Sequence, residues 1–273
     1  MAIRLTDTHC HIQEAWRAVN GQDATAQKWD KAGRPAVADI IARAHEAGVA
    51  YLLCVGTTLP DSELAVEFVR NRPDCWASIG LHPHEAAVYD GDQAKLDRFA
   101  GLATQPKVVA VGECGLDYFY SHSPKAEQQR ILRFQIELAL AHNLPMIFHV
   151  REAFDDFWPI FDEYTGIRGV IHSFSAGTAD LEQIVRRGLY VGLNGIMTFT
   201  KDVKQLDAAK AVPSGNLLLE TDAPFLTPQP FRGNICEPKH VRVTAEFLAE
   251  LRGESLEDVA AATTLNAQRL FGL

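Results

Sequence analysis

Ile3-Arg4-Leu5-Thr6-Asp7-Thr8-His9-Cys10-His11 opens the chain with a short β-rich run that closes on two histidines. The same layout recurs further on. Ile3 to Thr8 predicts a strand, and His9 and His11 stand at its end. Glu113 closes the predicted strand Lys107 to Gly112, His149 ends Pro145 to Val150, His172 ends Gly169 to Ser173, and Asp222 ends Leu217 to Thr221. One such residue is chance. Several at corresponding strand ends place one site on one rim of a barrel. Imidazole and carboxylate without thiolate is the donor set of a hydrolytic divalent-metal centre.

Working outward, further short apolar runs lie at Val49 to Val55, Trp76 to Gly80 and Leu189 to Leu193, which brings the predicted strands to eight. Helical patterns fall between them near Ala36–Ala47, Pro60–Asn71, Asp92–Thr104, Pro124–His142, Phe154–Tyr164, Thr178–Arg187 and Lys201–Ala211. Short apolar runs bounded by Gly and Pro read as buried parallel strands. Strand and helix in strict alternation predict an α/β fold, a single (β/α)8 TIM barrel spanning residues 1–273, with additional C-terminal helices after Lys239. Ser123-Pro124 supplies a helix cap and a first-turn proline. Two segments interrupt the alternation. Gln13 to Pro35 is a long polar loop, expected to be partly helical, and Thr227 to Pro238 is rich in Pro and Gly. Both leave from the rim that carries the predicted site, where long loops are often functional.

The net charge of −9 disfavours broad electrostatic binding to nucleic acid, although bound cations can supply positive charge locally. The cysteines number five, with no Cys-x-x-Cys pair, which fits a reducing compartment better than a disulfide framework. No basic segment followed by an apolar run precedes the first strand, and no long apolar stretch follows. A cytoplasmic protein without a membrane span is expected.

His9 and His11 alternate with Cys10, so both imidazoles point to one side of an extended segment and can grip one ion. Asp7 can orient a histidine from behind. Glu113 follows an apolar strand, where an unpartnered carboxylate is costly, and its two oxygens can bridge two cations. The alternative is an arginine partner. His149 and His172 end successive strands; a single buried histidine is more often bonded to backbone than to metal, but two at equivalent ends favour ligation. Asp222 can hold metal and take a proton from metal-bound water, or merely cap a helix before Pro224. His82 and His84 in Gly80-Leu81-His82-Pro83-His84 are expected to touch substrate. Arg151 and Arg232 lie on rim loops and suit phosphate through the guanidinium fork, or are solvated surface residues. His84-Glu85-Ala86-Ala87-Val88 lacks the second histidine of a zinc-protease helix, and no phosphate-binding Gly-rich loop or nucleophile elbow occurs.

Together these strings resemble the TatD family of metal-dependent deoxyribonucleases. The resemblance is carried by Asp7-Thr8-His9-Cys10-His11, Gly80-Leu81-His82-Pro83-His84, Gly112-Glu113-Cys114-Gly115-Leu116-Asp117-Tyr118, Phe148-His149-Val150-Arg151-Glu152-Ala153, Ile171-His172-Ser173-Phe174-Ser175 and Leu219-Glu220-Thr221-Asp222-Ala223-Pro224. It continues into Thr264-Leu265-Asn266-Ala267-Gln268-Arg269-Leu270-Phe271 and so covers nearly the whole chain. The resemblance implies that His9, His11, Glu113 and Asp222 hold one divalent ion (Mg2+, Mn2+ or Zn2+) and that Glu113, His149 and His172 hold a second. It also implies phosphodiester hydrolysis on DNA, most often 3′-to-5′ exonuclease action on single strands. The chain departs from the family pattern at Gln13, Ala176 and Cys236 and in its longer first loop, all in segments expected to meet substrate.

The leading expectation is therefore a two-metal deoxyribonuclease with Asp222 and Glu113 as catalytic groups. The alternatives are a small-molecule hydrolase of the same barrel type, cleaving a lactone, amide or phosphotriester, and a deacylase of mischarged aminoacyl-tRNA. A non-catalytic binding scaffold requires six coincidental ligands.

Overall fold

The computed structural model describes residues 3–18, 23–120 and 122–273. Residues 19–22 of the predicted first loop lie outside the described residues. The strands are β1 (Leu5–Cys10), β2 (Val49–Val55), β3 (Cys75–Ile79), β4 (Val108–Asp117), β5 (Met146–Arg151), β6 (Gly169–Ile171), β7 (Tyr190–Leu193) and β8 (Leu217–Leu219). They form one eight-stranded sheet in chain order, with helices between them. A parallel bridge between Cys10 and Ala223 returns the chain beyond β8 to β1. This is the (β/α)8 class expected from the alternation. Two helices follow β8, Val241–Arg252 and Leu256–Phe271. No helix among the described residues is long and apolar enough to cross a membrane. All five cysteines are buried, and none is joined in a disulfide among the described residues.

The chain divides into two compact units, Met1–Cys54 with Ser173–Leu273, and Val55–His172. In the first unit β1 pairs with β2 in parallel, Leu5 opposite Val49 and Cys10 opposite Cys54, and β7 pairs with β8. Every residue of β1 is buried, although its sequence is mostly polar. Each polar group therefore needs a partner. Thr8 Oγ1 donates to the Leu219 carbonyl at 3.0 Å, and Asp7 accepts from Thr221. The last helix begins at Ser255, whose side chain accepts from the Asp258 amide, and ends at Gly272 in the left-handed region. It is tied to strand edges, Thr264 Oγ1 donating to the Arg4 carbonyl and Asn266 Nδ2 to the Leu217 carbonyl. The predicted first loop contains helices Gln13–Trp16 and Ala24–Lys31. Trp29 is fully buried there and its indole N–H donates to the His11 carbonyl at 3.1 Å. The insertion thus braces the His-x-His segment.

In the second unit β3, β4, β5 and β6 pair in parallel. β4 runs further than the sequence predicts. Gly115, Leu116 and Asp117 pair with His149, Val150 and Arg151, so Glu113 lies inside the strand rather than after it. Gly112 reads as a terminator, but here the glycines permit close approach: a Cβ on Gly115, whose φ is +149°, would lie 1.9 Å from the His149 carbonyl oxygen. Three strands are shorter than predicted, β7 by one residue at its start and β6 and β8 at their ends. β6 stops at Ile171 and β8 at Leu219, leaving His172 and Asp222 on the segments just beyond. The predicted helix Asp92–Thr104 is an α-helix, Gln93–Ala100, followed by a 3-10 turn, Gly101–Thr104.

Candidate metal centre

In the first unit His9, His11 and Asp222 converge. Their ligand atoms all lie within 4.8 Å of one another. His9 Nε2 is 3.3 Å from His11 Nε2, and Asp222 Oδ1 is 3.3 Å from His11 Nε2 and 3.7 Å from His9 Nε2. Backbone bonds set this geometry. The Asp222 amide donates to the His9 carbonyl at 2.8 Å and the His11 amide to the Ala223 carbonyl at 2.7 Å, which locks the two ligand segments in register. Asp222 adopts φ +59°, a left-handed conformation that aspartate tolerates better than most side chains and that turns its carboxylate toward the histidines. Asp7 does not orient an imidazole. Its Oδ1 accepts from the amides of Thr221 and His9, and its Oδ2 accepts from Thr221 Oγ1 at 2.6 Å. Burial pushes its carboxyl up to about 8, against those hydrogen bonds. Glu220 is buried and accepts from the Ser173 amide and from Asn194 Nδ2.

The second unit gathers a denser cluster on Glu113. Its Oε1 lies 2.8 Å from His149 Nδ1, 2.9 Å from His172 Nε2 and 3.3 Å from His82 Nε2. His172 Nε2 and His149 Nδ1 are 3.4 Å apart. Glu113 is placed by its strand neighbours. Its amide donates to the Gly56 carbonyl, and a Cβ on Gly80 would stand 2.2 Å from its nitrogen, so only glycine lets the chain leaving β3 pass there. Burial works against an ionised carboxylate, but His172, His82 and His149 together hold Glu113 well below the usual carboxylate range. Burial takes His82 down to about 4, leaving a neutral ring.

Sequence reasoning missed Asp117, the most consequential neighbour of this cluster. It is fully buried, and its Oδ2 lies 3.0 Å from both His149 Nε2 and His84 Nε2. Its Oδ1 accepts from the amides of Phe119 and Tyr120. Burial opposes its charge, yet His149, His84 and the Tyr120 amide hold it far below the ordinary range. His149 is raised above its ordinary value because Asp117 and Glu113 outweigh burial. The arrangement is a carboxylate behind an imidazole, which fixes ring orientation and strengthens the opposite nitrogen as a ligand. Asp117 was visible as the fourth residue after Glu113, and alternation in a strand running on past Gly112 puts both on the same face.

The remaining predicted site residues take different places. His82, expected on substrate, is within the Glu113 cluster, and its Nδ1 accepts from the His84 amide. His84 stands beside it, ring centroids 4.3 Å apart, with Asp117 behind. Arg151 and Arg232 are exposed and belong to neither cluster. Arg151 lies over the Phe119 and Tyr120 rings. Arg232 lies over the Phe199 ring and donates to the Thr227 carbonyl on its own loop.

Nitrogen and carboxylate donors about 3 Å apart are spaced as neighbouring ligands of an ion bonded at about 2.0–2.2 Å. Both clusters therefore fit a divalent cation, with mixed imidazole and carboxylate ligands. Fold and donor sets define the class: a metal-dependent hydrolase built on a (β/α)8 barrel. The chain belongs to the TatD family, for it matches the family model described as TatD related DNase over residues 6–272. It is therefore a hydrolytic enzyme acting on ester bonds. It is 35% identical over 269 residues to an uncharacterized metal-dependent hydrolase, YabD, of Bacillus subtilis (strain 168), covering 98% of each chain. It is also 35% identical over 246 residues to the 3′-5′ ssDNA/RNA exonuclease TatD of Shigella flexneri serotype 5b, covering 86% of this chain and 92% of that one. Among solved structures, YjjV, a TatD homolog from Escherichia coli K12, aligns over 100% of both chains with a TM-score of 0.84 and 28% identity. A TatD family hydrolase from Entamoeba histolytica aligns over 99% of both with a TM-score of 0.86 and, at 22% identity, speaks for the fold alone.

Proposed function

We propose that this protein is an exonuclease of single-stranded nucleic acid, DNA first, acting from the 3′ end with two divalent ions. The observation that carries the reading is the pair of imidazole–carboxylate clusters, in a chain 35% identical to the ssDNA/RNA exonuclease TatD. His9, His11 and Asp222 are assigned to one ion, and Glu113, His149 and His172 to the other. The role of Glu113 as ligand to both comes from the family resemblance. When bound, the ions supply Lewis acidity at phosphate and a hydroxide-like water. Asp222 accepts the proton of the attacking water, and its left-handed backbone keeps the carboxylate aimed at the histidines. His84, Arg151 and Arg232 are assigned to the substrate, the arginines holding phosphates beyond the cleaved bond, while His82 stays with the Glu113 cluster.

The test is degradation of single-stranded DNA and RNA labelled at the 5′ or the 3′ end by purified, metal-loaded protein, beside a panel of lactones, aminoacyl esters and phosphotriesters. A one-nucleotide ladder shortening 5′-labelled DNA, abolished by chelator and restored by metal, is the expected result. Hydrolysis confined to the small esters or to aminoacyl-tRNA would replace this reading with one of the alternatives. Metal analysis at saturation is expected to give two ions per chain; one ion would withdraw the second assignment.

A further inference from the structure

Phe119 and Tyr120 are each 51% exposed, whereas most large apolar side chains are buried. Leaving a large side chain out of the core forgoes about 1.5–3 kcal/mol of burial. These two are not merely loose on the surface. Their rings meet edge to face, centroids 4.8 Å apart, and both backbone amides donate to Asp117 Oδ1, at 3.0 and 2.9 Å. The other oxygen of that carboxylate lies 3.0 Å from His149 Nε2. One buried side chain thus fixes the aromatic turn with one oxygen and a metal-cluster imidazole with the other. Arg151, two residues beyond His149 on β5, sets its guanidinium over both rings, 4.3 Å from the Phe119 centroid and 4.8 Å from that of Tyr120. Arg151 has no carboxylate partner among the described residues.

We propose that Phe119, Tyr120 and Arg151 form a stacking platform for a nucleobase next to the phosphate cleaved at the Glu113–His149 cluster. The inference rests on the nucleic-acid reading above and deepens it. An exposed aromatic pair takes any base, since every base offers a π-face, and such stacking contributes about 1–3 kcal/mol per base. The guanidinium over the rings turns its outer face to the base and takes the following phosphate. The net charge of −9 leaves the protein without a broad basic groove, so its grip on a strand has to come from stacking and a few local cations. Bases inside a duplex are stacked on one another and cannot use the platform. Preference for single strands or frayed ends follows from the platform itself.

The test uses metal-loaded full-length enzyme and single-stranded oligonucleotides that carry either normal nucleotides or tetrahydrofuran abasic residues at the two terminal positions. For the natural enzyme, removing the bases is expected to raise KM about 5- to 150-fold, the equivalent of 1–3 kcal/mol. Phe119→Ala/Tyr120→Ala is expected to bring the KM of normal DNA up to that of the abasic strand, with metal content retained. Tyr120→Trp, which restores a large ring, is expected to preserve discrimination. Natural enzyme that degrades DNA with equal KM for both strands would overturn the platform alone. So would discrimination that survives the double substitution. Natural enzyme that hydrolyses bis-p-nitrophenyl phosphate but no oligonucleotide would overturn the nuclease reading, and the platform with it.

Discussion

The two ligand clusters reach similar chemistry by different construction. In the unit containing β1 and β8, the side chains of His9, His11 and Asp222 are aimed by their backbones. Amide-to-carbonyl bonds hold the two segments in register, and Asp7 clamps the amides of Thr221 and His9. In the unit containing β4 and β5, a side chain does the aiming. Asp117 grips His149 and His84 by their Nε2 atoms while His149 turns Nδ1 to Glu113. Backbone register tolerates side-chain substitution nearby but not a shift of the strand end. A ring held by one carboxylate depends on that carboxylate keeping its charge and position.

The largest effect is expected at Asp222, where ligand and proton acceptor are the same group. Asp222→Asn should lower kcat by about 10²–10⁴-fold, with a much smaller change in DNA affinity. Metal occupancy is measured in the same samples, because the amide also weakens one ion. Equal loss of binding and turnover at full occupancy would remove the proton-transfer role from Asp222 and leave only the ligand.

Asp117→Asn sharpens the contrast directly. The amide cannot accept charge-assisted bonds from two imidazoles, so His149 loses its fixed orientation. Affinity for the ion at the Glu113 cluster is expected to fall about 10- to 100-fold, while the ion at His9, His11 and Asp222 binds as before. Titration with Mn2+, read by isothermal calorimetry, resolves the two sites. Equal weakening of both would mean that Asp117 acts on folding rather than on one imidazole. The complementary change is Thr221→Val in the other unit. It strips the hydroxyl from Asp7 Oδ2, a buried oxygen, and should cost about 1–3 kcal/mol in urea unfolding with two ions still bound.

The same contrast explains what could be read before any coordinates. Histidines at strand ends stand out because imidazoles are uncommon at the close of apolar runs, and the barrel follows from strict alternation of strand and helix. Asp117 did not stand out, because its role exists only if β4 continues through Gly115, and glycine reads locally as a stop. Trp29 was hidden for a different reason. It sits in a polar segment with no apolar periodicity, yet it is fully buried and bonded to the His11 carbonyl. His82 looked like a substrate contact because only chain folding, not spacing, brings its Nε2 to 3.3 Å from Glu113. Local pattern reports the strands themselves better than their ends, as β4, β6 and β8 show. It does not report which side chain on one strand stands behind a ligand on the next.

The smallest effect is expected at Glu237, which belongs to the same unit as Asp222 but is assigned to neither ion. Its carboxylate accepts two bonds from the Arg43 guanidinium, at 2.8 and 3.0 Å, and its amide donates to His240 Nδ1. Burial alone would raise its pKa, but Arg43 and Lys239 hold it below the ordinary value of 4.5. A depressed carboxylate contributes stability that is fully present above 4.5 and is lost as pH falls through the folded value. Glu237→Gln removes the charge and keeps the shape. It should therefore lower stability by about 1 kcal/mol at pH 7, and the gap between variant and natural protein should narrow at a pH below 4.5. Chemical unfolding at both pH values measures it, with metal titration alongside. Weaker metal binding in this variant would show that the backbone holding His9, His11 and Asp222 extends its dependence to the Arg43 pair, and the first cluster would then be less self-contained than its hydrogen bonds imply.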